Sequence, residues 1–501
     1  MAKERTSFTL RPSITSLFLI FTYWCIGAID YNLSPQAAAS RATARSALAM
    51  SSTKTEASSD DNDAEVFDLL IVGGGVVGLA ILRAAALEGW KCALVEQEPD
   101  LLSWASGSNS GIACTGVDAS PGSLERALIR DSAAQIRLFC KEMNIPTRAC
   151  GSLVCQWPWD FQDGLEKVLL ESHDAGDTHA ARLSSDELQA LEANLNKSAV
   201  GAVHIPGEIV VDPWLYSIAL AVHARENGAI LITNFGMDPI ASSWNGELWT
   251  VVRKANDLDN YTGPSNIRAK AVVSATGLWS DLIQQKVHSS STWNARPRRG
   301  QYRIFSSNDS TRIAHPIQPV PTQRTKGVFV FSSLYDHIIV GPTALDQESR
   351  TDRDVDTEVA DELANVVRRI LPDLDIAQAH VGEYVGIRPG TDKRDYQIHV
   401  DYPKRWIAAA GIRSTGLTAS LGIGRHVTHM LRGLLPEPTS PLKSLQTTPL
   451  PPVKDLVEDF HSRGDEKVEI QGHAYKVTHP ITKLGWQKRS GIASQYSTIA
   501  Y

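Results

Sequence analysis

The stretch Val66–Gly78, Val-Phe-Asp-Leu-Leu-Ile-Val-Gly-Gly-Gly-Val-Val-Gly, restricts the possible folds of this chain more than any other. Leu69–Val72 is apolar and uncharged, the pattern of a parallel strand covered on both faces. Gly73, Gly75 and Gly78 follow at G-x-G-x-x-G spacing. The first permits a tight turn, the second lets backbone approach a pyrophosphate, and the third lets the next helix lie close to the strand. Val76–Glu88 reads as an alanine-rich helix, with Gly89 placed to end it. Cys92–Glu96 reads as a second buried strand, closing on an acid eighteen residues after Gly78. A carboxylate there can accept hydrogen bonds from both hydroxyls of an adenosine ribose. Glycines alone fit an ordinary turn. Strand, glycines, helix, strand and terminal acid in that order point to a dinucleotide site.

At 501 residues the chain is too long for one ordinary core, so two domains or one large interleaved α/β unit are expected. A net charge of −7, with no basic run interleaved with aromatics, argues against a nucleic-acid partner. The six cysteines, at 25, 92, 114, 140, 150 and 155, form no C-x-x-C and have no histidine at zinc spacing. No metal site is expected, and most of these thiols should be reduced and buried, although Cys150 and Cys155 could meet in a hairpin.

Residues 1–65 do not read as fold. Lys3, Arg5 and Arg11 precede the apolar run Ile14–Ile29, which is short of the roughly 20 residues a spanning helix needs. That is a signal-peptide pattern. No acid occurs between Asp30 and Glu56, where Ala, Ser, Thr, Arg41 and Arg45 resemble a transit peptide. Together they look like the two-part presequence of plastid proteins in algae with complex plastids. The alternatives are a mitochondrial presequence or an uncleaved signal anchor of the endomembrane system.

Further along, Trp104–Gly111 is dense in small residues, as suits a loop crossing a flat cofactor, or equally a solvent loop. Asp212-Pro213-Trp214 marks a helix start, with Asp as N-cap and Pro in the first turn. Ala271–Asp281 and Trp406–Ser420 are further strand–glycine–helix passages where backbone can approach a phosphate. The strands between Arg296 and Val340 suit an antiparallel sheet, and Asp356–Leu371 an amphipathic helix. Tyr384–Gly390 places Arg388 in a glycine- and proline-bounded turn. Leu434–Pro452 is linker-like, and 453–501 reads as a polar tail with little core potential.

The order G-G-G-V-V-G with Glu96, S-G-S-N-S-G, A-T-G-L-W-S-D, G-I-R-P and G-I-R-S-T-G-L-T-A-S resembles the FAD-dependent oxidoreductases of the D-amino-acid oxidase superfamily. The likeness runs from about Val66 to Arg432. It is greatest to the glycerol-3-phosphate dehydrogenase-like and L-2-hydroxyglutarate dehydrogenase-like branch. It implies an α/β fold: an interleaved FAD-binding Rossmann-type domain (66–125, 200–295 and 381–433) plus an antiparallel-sheet substrate domain (126–199 and 296–380). Residues 434–501 remain as linker and tail.

By the same resemblance, Gly73, Gly75 and Gly78 sit at the pyrophosphate and Glu96 on the adenosine ribose. Ser106, Asn109, Ser110 and Gly111 line the pyrophosphate and flavin, and Met237 offers backbone to adenine. Gly277 passes the cofactor closely, while Gly411, Gly416, Leu417 and Thr418 reach the flavin pyrimidine. Arg388 matches the arginine that grips a substrate carboxylate or phosphate, for which a planar fork of donors is suited. Tyr302, Lys326 and His337 are weaker pocket candidates. Where many relatives carry a histidine–small–glycine run, this chain has Cys114-Thr115-Gly116, so that histidine's role is vacant or filled elsewhere, with His337 as the candidate. The implied activity is hydride removal from a small anionic alcohol such as glycerol 3-phosphate or an L-2-hydroxy acid. An amine or amino-acid oxidase and a non-catalytic flavoprotein are the alternatives. The electron acceptor is open between a quinone, a carrier protein and oxygen, and nothing in the sequence sets an oligomeric state.

Overall fold

Leu69, Leu70 and Ile71 have no exposed surface, because the strand Val66–Val72 lies inside a parallel layer covered on both faces. Leu69 is in register with Cys92 on one side and Ala271 on the other. The parallel set runs Ile230–Ile232, Cys92–Val95, Val66–Val72, Asn266–Ser274 and Trp406–Ala410. A hairpin of Met237–Trp244 and Trp249–Arg253 adds antiparallel to Asn266–Ser274, and Gln397–Asp401 adds to Trp406–Ala410. This computed structural model describes residues 65–160, 164–255, 261–321, 327–438 and 445–489. The leader and Lys326 lie outside the described residues.

Local signals set the helices. Val76–Glu88 begins at Gly75 and ends at Gly89, whose φ of 96° is the left-handed conformation expected of a closing glycine. Pro213–Glu226 is buried on nearly every side, as an all-round apolar helix must be. Asp212 caps it, accepting from the N–H groups of Trp214 and Leu215 at 2.9 and 2.7 Å; such a cap contributes about 0.5–2 kcal/mol. Gly416–Leu431 packs between Val76–Glu88 and Leu124–Glu142. A Cβ at Gly424 would stand 2.7 Å from the Ala80 carbonyl, so these helices touch backbone to backbone.

The second sheet has nine strands and is largely antiparallel, with Ile317–Pro319 parallel to Leu153–Cys155 as its exception. Its spine is the pairing of Ala295–Ser306 with His380–Thr391. Two expectations change here. Residues 381–391, assigned from the sequence to the cofactor domain, belong to this second sheet, and Arg388 sits within a strand and not in a turn. Residues 453–489 are no loose tail: helices Val453–Arg463 and Pro480–Arg489 flank a hairpin of Lys467–Ile470 and His473–Lys476. Their Leu456, Phe460, Ile470 and Trp486 join the cluster that holds Leu69, Trp214 and Tyr384. Residues from both sheets therefore share one core. Cys150 and Cys155 are both free thiols.

Candidate active site

A cavity of about 1050 Å³ lies between the C-terminal ends of the parallel strands and one face of the Ala295–Ser306/His380–Thr391 ladder. That is the expected ligand position in an open parallel sheet, and it exceeds an ordinary small-molecule pocket of roughly 300–1,000 Å³. A dinucleotide and a small substrate can share it.

Gly73 and Gly75 line the cavity floor. A Cβ at Gly73 would stand 2.5 Å from the Ala275 carbonyl, where the loops after two neighbouring strands meet. Glu96 is 8% exposed, and its two oxygens accept from the N–H groups of Gly74 at 2.6 Å and Glu98 at 3.0 Å. Burial pushes its carboxyl up, and those two N–H groups oppose the shift. A carboxylate has about four acceptor sites, so this one can still take ribose hydroxyls. The Ser106 hydroxyl accepts from the Val76 N–H at 3.0 Å, tying the Trp104–Gly111 loop to the first turn of the glycine helix. Asn109 folds that loop on itself, donating to the Ser106 carbonyl and accepting from the Gly111 N–H, both at 2.8 Å. Ser110, Met237, Gly277, Gly411, Gly416 and Leu417 also reach the cavity wall. The N-termini of Val76–Glu88 and Gly416–Leu431 both face it, which suits an anionic ligand.

The roof follows from strand register. Arg298, Gly300 and Tyr302 stand opposite Arg388, Gly386 and Tyr384; alternate residues of a ladder share a face. Two glycines side by side leave a bare patch. A Cβ at Gly300 would lie 2.8 Å from the Arg388 guanidinium, and one at Gly386 would lie 2.6 Å from the Ser108 hydroxyl. Half-buried Arg388 donates to the carbonyls of Thr343 (2.9 Å) and Arg299 (3.4 Å), and among the described residues no carboxylate pairs with it. Burial lowers its pKa, with neighbouring Tyr302 opposing and Arg298 adding to the shift. The Tyr302 phenol is pushed up to about 12 by burial, so it stays a donor at neutral pH.

Four residues expected at the site do not line this cavity. A Cβ at Gly78 would sit 1.9 Å from the Gly73 carbonyl, so this glycine serves helix–strand contact and not the ligand. Gly111 packs against the Val211 carbonyl. The Thr418 hydroxyl is buried, accepting from the Cys114 N–H at 3.2 Å. His337 is 2% exposed at the start of the strand His337–Gly341, opposite Ser306. Its position does not support a stand-in for the absent histidine, and no described cavity residue is a histidine. Burial lowers the His337 pKa from 6.5 to about 4. Its neutral form therefore contributes stability in full above pH 6.5, and that contribution is lost as the pH falls toward 4. The thermal midpoint should drop across that window, and His337→Gln should flatten the drop. Identical pH profiles for the two proteins would refute this.

Sequence reasoning missed Arg298, the paired glycines and the buried Glu208, which lines the cavity and accepts from the Gln318 amide at 3.0 Å. It also missed a strap over the opening. Asp346, Gln347, Glu348 and Arg350 line the cavity from an otherwise exposed segment. Arg350 donates to both Asp281 oxygens at 2.7 and 3.0 Å. Arg353 lies 4.6 Å over the Trp104 ring, which meets Trp279 edge-on at 4.8 Å. The R-G-Q-Y and G-I-R-P-G segments carried a signal for the paired glycines, but register alone brings them together.

Comparison with known proteins agrees with this geometry. Residues 68–430 match the family model described as FAD dependent oxidoreductase. The chain is 28% identical to glycerol 3-phosphate dehydrogenase of Caloramator mitchellensis, over 74% of each chain. It is 27% identical to human mitochondrial L-2-hydroxyglutarate dehydrogenase, over 56% of this chain and 61% of that one. Dithionite-reduced L-alpha-glycerophosphate oxidase from Mycoplasma pneumoniae, solved with FAD bound, superposes with a TM-score of 0.67 at 27% identity. That match covers 75% of this chain and 97% of the other.

Proposed function

The chain belongs to the family of FAD-dependent oxidoreductases and its cofactor is FAD; from that premise we propose that it oxidises a small anionic alcohol, glycerol 3-phosphate or an L-2-hydroxy acid such as 2-hydroxyglutarate. The residues present fit FAD. A cradle of bare backbone at Gly73 and Gly75, a ribose-directed carboxylate at Glu96 and two helix N-termini match its ribose and pyrophosphate. The observation that carries the substrate reading is Arg388, a half-buried cation without an acidic partner among the described residues, folded over the glycine patch that roofs the cavity.

Bound FAD supplies the hydride acceptor. Arg388 grips the carboxylate or phosphate through its planar fork, and its two carbonyl partners fix the fork's direction. Tyr302, protonated, offers a donor to a substrate oxygen, and stacking on Tyr384 at 4.4 Å holds its ring in place. The test is steady-state oxidation with an artificial electron acceptor across glycerol 3-phosphate, 2-hydroxyglutarate, glycerol and amino acids. Turnover of an anionic alcohol with glycerol inert supports the reading. Equal use of glycerol, or turnover of amino acids alone, overturns it.

The strap gives a separate expectation. Burial would raise the Asp281 pKa, but the Arg350 guanidinium and the Ala295 N–H hold it below the usual carboxylate value of 3.8. The ion pair is thus complete above that pH and is lost as the pH falls below it. Because Arg350 is partly exposed, the pair contributes about 1 kcal/mol, and Arg350→Met should release FAD roughly fivefold faster. Flavin fluorescence after dilution reads the rate, and an unchanged rate would exclude the strap from cofactor retention.

A further inference from the structure

We propose that residues 478–482, beyond the 68–430 region that matches the family, act on the cofactor: Thr478, His479 and Thr482 are positioning residues for the Trp104–Gly111 loop and the tyrosine wall behind it. This loop matters to FAD because Ser106 joins it to the N-terminus of the glycine helix. Side chains of the C-terminal segment support it at three points, once just before its start and twice through an intermediate residue, Tyr384 and Asp212.

At its entry, the Thr478 hydroxyl donates to the Leu101 carbonyl at 3.4 Å. The neighbouring Leu102 N–H donates to the Gly74 carbonyl at 3.3 Å, so this contact continues into the glycine turn. In its middle, His479 has no exposed surface and stands edge-on to Tyr384 at 6.0 Å. Tyr384 donates its hydroxyl to the Asn109 carbonyl at 3.2 Å and stacks on Tyr302, which lines the cavity. His479 Nδ1 accepts from the Ile481 N–H at 3.3 Å. Its other ring nitrogen faces the Asn109 backbone without a hydrogen bond of normal geometry.

At the loop's exit, the Val211 N–H donates to the Gly111 carbonyl at 2.8 Å, and Asp212 follows. Asp212 is 1% exposed and is shared by three parts of the chain. It caps the Pro213–Glu226 helix, accepts from the hydroxyl of Tyr335 in the turn that joins Phe329–Ser332 to His337–Gly341 of the second sheet, and accepts from Thr482 at 3.0 and 3.1 Å. Trp486 adds an indole N–H to the Tyr335 oxygen at 3.0 Å. Thr482 thus completes a buried polar network between the loop's exit and the second sheet, and a network of this kind is rigid only when fully satisfied.

The experiment compares FAD dissociation constants of the full-length holoprotein, measured by flavin fluorescence, with thermal midpoints of the same variants. Thr482→Val should weaken FAD roughly tenfold, the scale of one lost hydrogen bond at a buried carboxylate, and His479→Leu, which removes the ring packed edge-on against Tyr384, should weaken it roughly 2- to 10-fold, the scale of one lost aromatic pair. Thr482→Ser should restore wild-type affinity. Leu456→Ala, a core truncation in the helix Val453–Arg463 that removes none of these polar or ring contacts, should lower the midpoint more and leave FAD affinity unchanged. The proposal is overturned if Thr482→Val and His479→Leu bind FAD as tightly as wild type. It is equally overturned if Leu456→Ala loses FAD in step with its stability. Should Thr482→Val prove insoluble, Thr478→Val, which loses the Leu101 contact alone, takes its place with the same expected direction.

Discussion

Gly78→Ala should yield a protein that is purified without FAD. The added Cβ would stand 1.9 Å from the Gly73 carbonyl oxygen, more than an ångström inside van der Waals contact. Relief requires either the helix or the glycine turn to move. The helix cannot withdraw, since Gly416–Leu431 and Pro213–Glu226 pack against it and Gly424 already touches its backbone. The turn gives way, and with it the Gly73–Gly75 cradle. Overpacking of this kind costs about 1–3 kcal/mol of stability, and the loss of FAD should be close to complete. Gly382→Ala is the matched control, because its Cβ would meet Leu484 at an ordinary 3.6 Å. Flavin absorbance per protein, read beside the thermal midpoint, decides the matter. A yellow Gly78→Ala protein of wild-type stability would contradict the packing argument.

Arg388→Ala should keep its FAD and lose most substrate turnover. The side chain lies on the roof, against Gly300, and its hydrogen bonds go to carbonyls of Thr343 and Arg299, none of them in the Gly73–Gly75 cradle. A lost charged hydrogen bond costs about 1.5–3 kcal/mol, or roughly 10- to 150-fold in kcat/KM. Arg388→Lys retains charge but not the fork, so it should recover only part of the loss. Steady-state kinetics beside flavin content separate the possibilities. Wild-type kcat/KM in Arg388→Ala, or a colourless protein, would remove Arg388 from the substrate site.

What the sequence made legible was local. The glycine spacing, the acid closing the second strand, Gly89 at a helix end and Asp212-Pro213 at a helix start each act within a few residues, and each appears in the structure. The roof was not legible, because pairing Arg298 with Arg388 depends on the register of strands far apart in sequence. Arg388 itself was assigned to a turn because its flanking glycine and proline are turn residues; here they sit in a strand, where Gly386 makes room for Ser108 and the opposing Gly300 makes room for the guanidinium. The segment 453–489 was passed over because its apolar residues are sparse among charges. One signal was present: Val468 and Ile470 alternate with Glu469 before Gln471-Gly472, whose φ values of 51° and 76° form a tight hairpin turn.

Anaerobic titration of the holoprotein, with flavin absorbance as the readout, reports hydride transfer from substrate to FAD with neither an electron acceptor nor repeated turnover. Stoichiometric addition of glycerol 3-phosphate or an L-2-hydroxy acid should bleach the flavin in wild type and do so far more slowly in Arg388→Ala. A flavin that stays oxidised with every anionic alcohol, or is bleached by an amino acid alone, would contradict the account.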